Sequence, residues 1–216
     1  MRDRPADVAK QVRDAAHNAR VVATFGRGGT FLDLGANVGE VAIRCAGQFR
    51  RVVAVESHPT TARRAARRVA RAGLSEKVKV INAAVAPRTG DVYYASTPSR
   101  YALGSTARAR KVRKRARYYH AVETISLRDL LRDTRARAVK MDIEGGEYEC
   151  LTDFVFPRHV ERLVVEFHWA YKHHDHIARI VRGIDATGLR SLDRGKLRRL
   201  KNGSWRRFAS FVFARR

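Results

Sequence analysis

Cysteine is nearly absent from this sequence: Cys45 and Cys150 are its whole complement. Standing singly in helix-like contexts, they form neither a CxxC metal pattern nor a disulfide framework, and they read as buried thiols. Long apolar runs are missing as well. No window approaches 18 uninterrupted apolar residues, which excludes a membrane-spanning helix. The first ten residues, Met1 to Lys10, carry charges where a secretion signal needs an apolar stretch, so a soluble, intracellular, cytoplasmic protein is expected. Acids are scarce, 21 against 45 Lys and Arg, for a formal net charge of +24. What is present in quantity is apolar side chain, 44% of the total. That content excludes a wholly disordered basic tail, which would lack the burial needed to offset chain entropy. The 216 residues suit one domain, 1–216, burying about 70% of the surface its unfolded chain exposes.

Arginine outnumbers lysine 36 to 9, a ratio that biased genomic base composition produces without selection for a polyanion. Clustering says more than the total. Arg108 to Arg117 reads RARKVRKRAR, seven basic residues in ten, and Arg190 to Arg207 holds eight more. Such blocks form either solvated segments or an anion-binding face, and a field this strong attracts acidic partners. Arg108, Arg110 and Lys111 are therefore candidate contacts to an acidic acceptor, and nucleic acid is an admissible partner.

Apolar positions at helical spacing predict an amphipathic leading helix within residues 1–24. Thr30 to Leu34 then reads as a strand ending in Gly35-Ala-Asn-Val-Gly39 and passing into a helix through Cys45. A second strand, Arg51 to Val55, ends at Glu56, and Pro59 opens a helix that stops near Gly73. Val78 to Val85 reads as one strand and Val92 to Ala95 as a short one. A basic substrate-side loop is expected over residues 96–118, and Ser126 caps a helix to Asp133. Ala138 to Ile143 and Arg162 to Phe167 are strands, with helices at Glu147 to Phe154 and Asp175 to Thr187. The end, 188–216, reads as a hairpin around Asn202-Gly203. Strands alternating with helices predict an α/β fold: a mainly parallel sheet covered on both faces, with one antiparallel strand at its edge. Ligands bind such sheets beyond the carboxyl ends of the strands.

Two groups of residues stand at those ends. The first is Asp33-x-Gly35-x-Asn37-x-Gly39, whose glycines permit a tight turn and close backbone approach. Its spacing is not GxGxxG, so a pyrophosphate on the helix N-terminus is not what it predicts. Glu56, 21 residues after Gly35, stands where an acid can accept the hydroxyls of a ribose. The second group is Lys140-Met-Asp142-Ile-Glu144-Gly-Gly-Glu147. Alternation places Lys140, Asp142 and Glu144 on one side, where charges must be paired or used. Glu166 and His168 follow on the next strand, and a Lys140 to Glu166 ion pair is the plain structural expectation.

These segments resemble a known family. FLDLGANVGEVAI, VVAVESHP, VINAAVAPRTGDV, VKMDIEGGEYECL and LVVEFH are similar to the successive motifs of the FkbM family of S-adenosylmethionine-dependent methyltransferases. The resemblance covers Thr30 to His168, with KxDxEGxE its most specific part. It implies a Rossmann-like class I methyltransferase fold with a seven-stranded sheet, and methyl transfer to a hydroxyl of a sugar, glycan or small molecule. It also implies that Asp33, Gly35, Asn37 and Gly39 surround the methionine part of the cofactor, that Glu56 and Ser57 hold its ribose, and that Asn82 and Ala83 lie near the adenine. Asp142 would sit beside the methyl group, with Glu144 and Glu147 shaping that end of the pocket; Lys140 and Glu144 are candidate substrate contacts. The family commonly has Pro directly after its second-motif acid; here Ser57-His58 intervene before Pro59.

Methyl transfer requires alignment of the acceptor and a group to take its proton. Asp142 is the first candidate for that base, with His168 and His58 in reserve. His168, His173, His174 and His176 do not share one face, and although Asp142 with Glu144 is an oxygen set that suits magnesium, no metal is expected. The aromatic residues Tyr101, Tyr118, Tyr119, Trp169 and Tyr171 suit stacking or packing equally. Two other functions remain open: an RNA ribose 2′-O-methyltransferase gripping phosphates through the basic blocks, and a noncatalytic nucleic-acid-binding protein on the same scaffold.

Overall fold

Apolar strands buried on both faces, separated by helices, dictate the architecture. The computed structural model describes residues 26–96, 106–108, 119–168, 170–192 and 208–215. In chain order these form β1 (Thr30–Leu34), α1 (Glu40–Cys45), β2 (Arg51–Glu56), α2 (Pro59–Arg71), β3 (Val78–Asn82), β4 (Ala84–Ala86), β5 (Val92–Ser96) and β6 (Thr106–Arg108). There follow β7 (Tyr119–Ser126), α3 (Leu127–Thr134), β8 (Ala138–Met141), α4 (Glu147–Leu151), β9 (Arg162–His168), α5 (His174–Ala186), β10 (Arg190–Ser191) and β11 (Phe208–Ala214).

Seven strands make one sheet in the order β10-β11-β9-β8-β1-β2-β3. The pairs among β3, β2, β1, β8 and β9 are all parallel. β11 runs antiparallel and is inserted between β9 and the two-residue β10, one place in from the margin. The order reverses at β1, so the crevice beyond β1 and β8 is the switch point where such sheets bind ligands.

Period-two alternation sends neighbouring residues to opposite faces. Leu32, Leu34, Val53, Val55, Val139 and Met141 pack with Leu127, Leu130 and Leu131 of α3, Leu151 of α4 and Ile177, Ile180 and Ile184 of α5. Phe31, Val52, Ala54 and Ala138 face the other way, toward Val41, Ala42 and Cys45 of α1 and Val69 of α2. Asp33 and Lys140 lie opposite one another in register on adjacent strands.

The chain departs from the sequence expectation between β3 and α3. The run Val78 to Val85 is two strands, because Asn82 turns its amide onto the Glu56 and Ser57 carbonyls and β4 leaves to pair with β7. β-compatible residues on both sides of the break leave it unmarked. β7, not expected from the sequence, joins β4, β5 and β6 in a second sheet of four strands, and β6 occupies part of the expected loop. The leading helix, the rest of the basic loop and the Asn202-Gly203 turn lie outside the described residues.

Candidate active site

The turn after β1 is wound by three positive φ angles, Gly35 at 76°, Asn37 at 50° and Gly39 at 77°; asparagine is among the few residues that accept this conformation readily. A Cβ on Gly35 would fall 1.7 Å from the carbonyl oxygen of Asp142. No side chain fits there, and the loop after β8 lies directly against the loop after β1. The Asp142 amide donates to the Leu34 carbonyl (3.0 Å) and the Gly35 amide to that of Val55 (2.9 Å), which ties three strand ends together.

Glu56 closes one side of this turn. Its carboxylate accepts the Asn37 amide (2.9 Å) and the His58 amide (2.8 Å). Burial raises its pKa above the ordinary glutamate value against these two bonds. His58 caps α2, its Nδ1 accepting the Thr61 amide at 3.4 Å, and its ring meets His120 edge-on at 5.0 Å. Ser57-His58 thus serve as the entry to a helix whose first residue is Pro59. His58 acts as a cap, and burial beside His120, Arg63 and Arg64 lowers its pKa.

Asp33 is completely buried, and neither of its oxygens receives a hydrogen bond of ordinary length. Its charge partner is Lys140, whose Nζ lies 3.7 Å from Asp33 and 3.2 Å from Asp142. Burial raises the Asp33 pKa while Lys140 opposes it. Burial disfavours the Lys140 charge, but Asp142, Asp33 and Glu166 together hold its pKa above the usual lysine value. The ammonium expected to meet Glu166 therefore bonds to Asp142 and faces Asp33 across 3.7 Å, with Glu166 adding its field and accepting from Ser210 at 3.1 Å.

The third part follows β8. Glu147, with no exposed surface, accepts the amides of Ile143 (3.0 Å) and Gly145 (2.8 Å) and lies 3.0 Å from His168 Nδ1. The other ring nitrogen, Nε2, faces Glu144 at 3.2 Å and Asp142 at 3.7 Å. Asp142, Glu147 and His168 hold potential ligand atoms within 4.8 Å of one another. Within that group the Glu147 oxygens are already engaged by two amides and the imidazole, an internally bonded arrangement.

Asp33, Gly35, Asn37, Gly39, Glu56, Ser57, Asn82, Ala83, Lys140, Asp142, Glu144 and His168 all stand at the carboxyl ends of the strands or in the loops that follow. Arg108 ends β6 in the second sheet, while Arg110 and Lys111 lie outside the described residues. Tyr148 was not singled out by sequence; its hydroxyl donates to the His168 carbonyl at 2.6 Å. Its position directly after Glu147 in the EGGEYE segment was the available signal. The small sheet meets α4 where Tyr93 donates to Glu149 at 3.5 Å.

The methyltransferase FkbM domain profile matches residues 33–187, well over half of the chain. A Rossmann-superfamily protein of Streptococcus agalactiae superimposes with a TM-score of 0.53 at 14% identity, covering 92% of this chain and 67% of its own. A Streptococcus pneumoniae protein assigned as a tRNA methyltransferase, in complex with S-adenosyl-L-methionine, superimposes with a TM-score of 0.50 at 14% identity, covering 93% and 72%. No curated protein sequence matches the chain. Among the described residues, no helix is long and apolar enough to cross a membrane.

Proposed function

The chain belongs to the FkbM methyltransferase family, and from that premise we propose that this S-adenosylmethionine-dependent methyltransferase acts on a hydroxyl oxygen of a sugar, glycan or small molecule. The observation that carries this reading is the contact between Gly35 and the Asp142 carbonyl, which unites the glycine turn and the acidic loop in one crevice. The crevice is acidic in a basic protein. Asp33, Glu56 and Asp142 stand around it, carboxylates whose negative field suits a ligand carrying a sulfonium and an ammonium.

When bound, the cofactor supplies an electrophilic methyl carbon: the acceptor oxygen forms its bond to that carbon as the carbon–sulfur bond breaks, the electron pair staying on sulfur. The protein's own part is binding, orientation and proton removal. Glu56, fixed by the Asn37 and His58 amides, has lone pairs left for ribose hydroxyls, and Asn82 holds the Glu56-Ser57 main chain in place. The turn from Asp33 to Gly39 would hold the methionine end and Ala83 would flank the adenine. Asp142 and His168 would face the acceptor. The acids that a cofactor-free scaffold would not need are all in place.

A second reading, an RNA 2′-hydroxyl as acceptor, is favoured by α2. It exposes Arg63, Arg64, Arg67, Arg68 and Arg71, and none of the five meets a carboxylate among the described residues. Arg68 donates to the Val38 carbonyl of the cofactor turn at 3.2 Å, which sets this face beside the crevice.

The test is calorimetry with S-adenosylmethionine, followed by transfer of labelled methyl into sugars, oligosaccharides, small hydroxylated compounds and RNAs. Glu56→Ala is expected to weaken cofactor binding by roughly 100-fold, the worth of hydrogen bonds to a charged acceptor. A wild-type protein that gives no heat overturns the reading.

A further inference from the structure

Glu144 has no place in the cofactor cradle, yet its setting is unusual. Its backbone is left-handed, φ 56°, and is followed by Gly145 at 106°. An acid with an ordinary Cβ holds that conformation only where its surroundings enforce it, and such positions cluster at functional sites. The conformation brings Oε2 to 3.2 Å from His168 Nε2. The opposite ring nitrogen is held at 3.0 Å by Glu147, which is itself fixed by the Ile143 and Gly145 amides. Tyr148 anchors the His168 main chain. The imidazole is held through Nδ1 by Glu147 and through its main chain by Tyr148, and it turns Nε2 toward Glu144.

We propose that Glu144 takes the proton of the acceptor hydroxyl, steadied by His168, and that Glu147 is the positioning residue that orients His168. This rests on the methyltransferase reading. The oxygen–hydrogen bond of the acceptor breaks as its new bond to carbon forms, and the proton passes to a Glu144 oxygen. The side chain is 18% exposed, enough to release the proton to water. Asp142 is less suited, because one of its oxygens is tied to the Lys140 ammonium.

The charges around the pair agree. Burial, aided by Asp142, Glu147 and Glu166 and opposed by His168, lifts Glu144 to about 7. Burial works against the His168 charge, but Glu147, Glu144 and Asp142 outweigh it and raise the imidazole to about 9. Lys140, bonded to Asp142, is the other cation facing this cluster among the described residues. A base titrating near neutrality combines availability with proton affinity.

Nuclear magnetic resonance titration of the ligand-free protein, with labelled glutamate and histidine and with Glu144→Gln to assign the signal, tests the cluster without turnover. Glu144 should titrate near 7 and His168 near 9, and Glu147→Gln should lower the His168 midpoint by about one pH unit or more. Labelled methyl transfer into the compound panel, read from about pH 5.5 to 9.5, should show a wild-type rise through about 7. Glu144→Gln should abolish that rise and lower kcat by about 100-fold while cofactor affinity by calorimetry stays within about threefold. Glu147→Gln should lower kcat by roughly tenfold with KM unchanged. A Glu144 that titrates like free glutamate, or a Glu144→Gln profile that overlays the wild type, overturns the proposal. A wild type that binds no S-adenosylmethionine sinks the underlying reading instead, and the resonance midpoints separate the two failures.

Discussion

The crevice and the outer face of α2 are opposites in charge and in burial. Around the crevice, among the described residues, stand Asp33, Glu56, Asp142, Glu144, Glu147 and Glu166, with Lys140 and His168 as cations. Asp33 and Glu147 have no exposed surface. The sequence of α2, PTTARRAARRVAR, has five arginines and no acid, and all five arginines face solvent. Exposed charges are screened within about 10 Å at ordinary salt and contribute little singly, whereas buried ones must be paired at close range. Among the described residues the exposed basic charge of α2 thus belongs to the coat, and the acids are gathered in the crevice. A cationic cofactor suits the crevice and an anionic acceptor suits the coat.

The largest contrast should come from removing one charge in each region. Lys140→Met leaves Asp33 and Asp142 without their shared ammonium, and loss of one partner from a buried ion pair costs about 3–5 kcal/mol. Denaturant unfolding at neutral pH should show that loss, and adding Asp33→Asn should restore much of it. Arg67→Met on α2 should change stability by less than about 0.5 kcal/mol. Equal effects from the two single variants would erase the distinction between buried and screened charge.

pH sharpens the same comparison at intermediate size. The His168 pKa lies at about 9 in the folded protein against about 6.5 in an unfolded chain. Its contribution to stability is therefore complete below about 6.5 and is lost as pH rises through about 9. Glu144, raised to about 7, has the same sign at lower pH: stability falls between about 4.5 and 7 as the folded chain gives up the proton it held longer than the unfolded one. The histidine step should amount to about 3 kcal/mol. Unfolding free energies of wild type and His168→Asn, taken from about pH 6 to 10, check it. A wild-type slope that survives His168→Asn would assign the titration to another group.

Much of this was legible in the residues. The strands to either side of the crevice were marked by apolar runs, Ser126 and Pro59 announced helix starts, and the seven-stranded, mostly parallel sheet agrees with the motif resemblance. Asp33, Gly35, Glu56 and Asp142 were visible because glycines and acids at strand ends break an apolar pattern. Partners were harder. Alternation set Lys140 and Asp142 on one side, but the choice between Asp33 and Glu166 for the Lys140 ammonium depended on register across strands about a hundred residues apart. Glu144 belongs to the same KxDxEGxE segment, yet its positive φ and its contact with His168 arise from the three-dimensional turn. β7 went unseen because its polar residues, His120, Glu123 and Thr124, interrupt the strand pattern.

The smallest effect on the fold and the sharpest on acceptor class should come from reversing the coat. Arg64, Arg67 and Arg71 are exposed and take no part in the Arg68 bond to the turn after β1, so Arg64→Glu/Arg67→Glu/Arg71→Glu should leave stability within about 1 kcal/mol and cofactor affinity unchanged. If the acceptor is RNA, fluorescence anisotropy with a single-stranded oligonucleotide should show affinity falling steeply with salt. The triple variant should flatten the logarithmic slope by about 2, since each lost phosphate contact accounts for about 0.7. If the acceptor is a neutral sugar, the variant should transfer labelled methyl at the wild-type rate and the slope should hold no information about the site. An unchanged slope together with unchanged transfer would reduce the arginine face to a consequence of base composition, and the acidic crevice would then be the only functional charge pattern in the described residues.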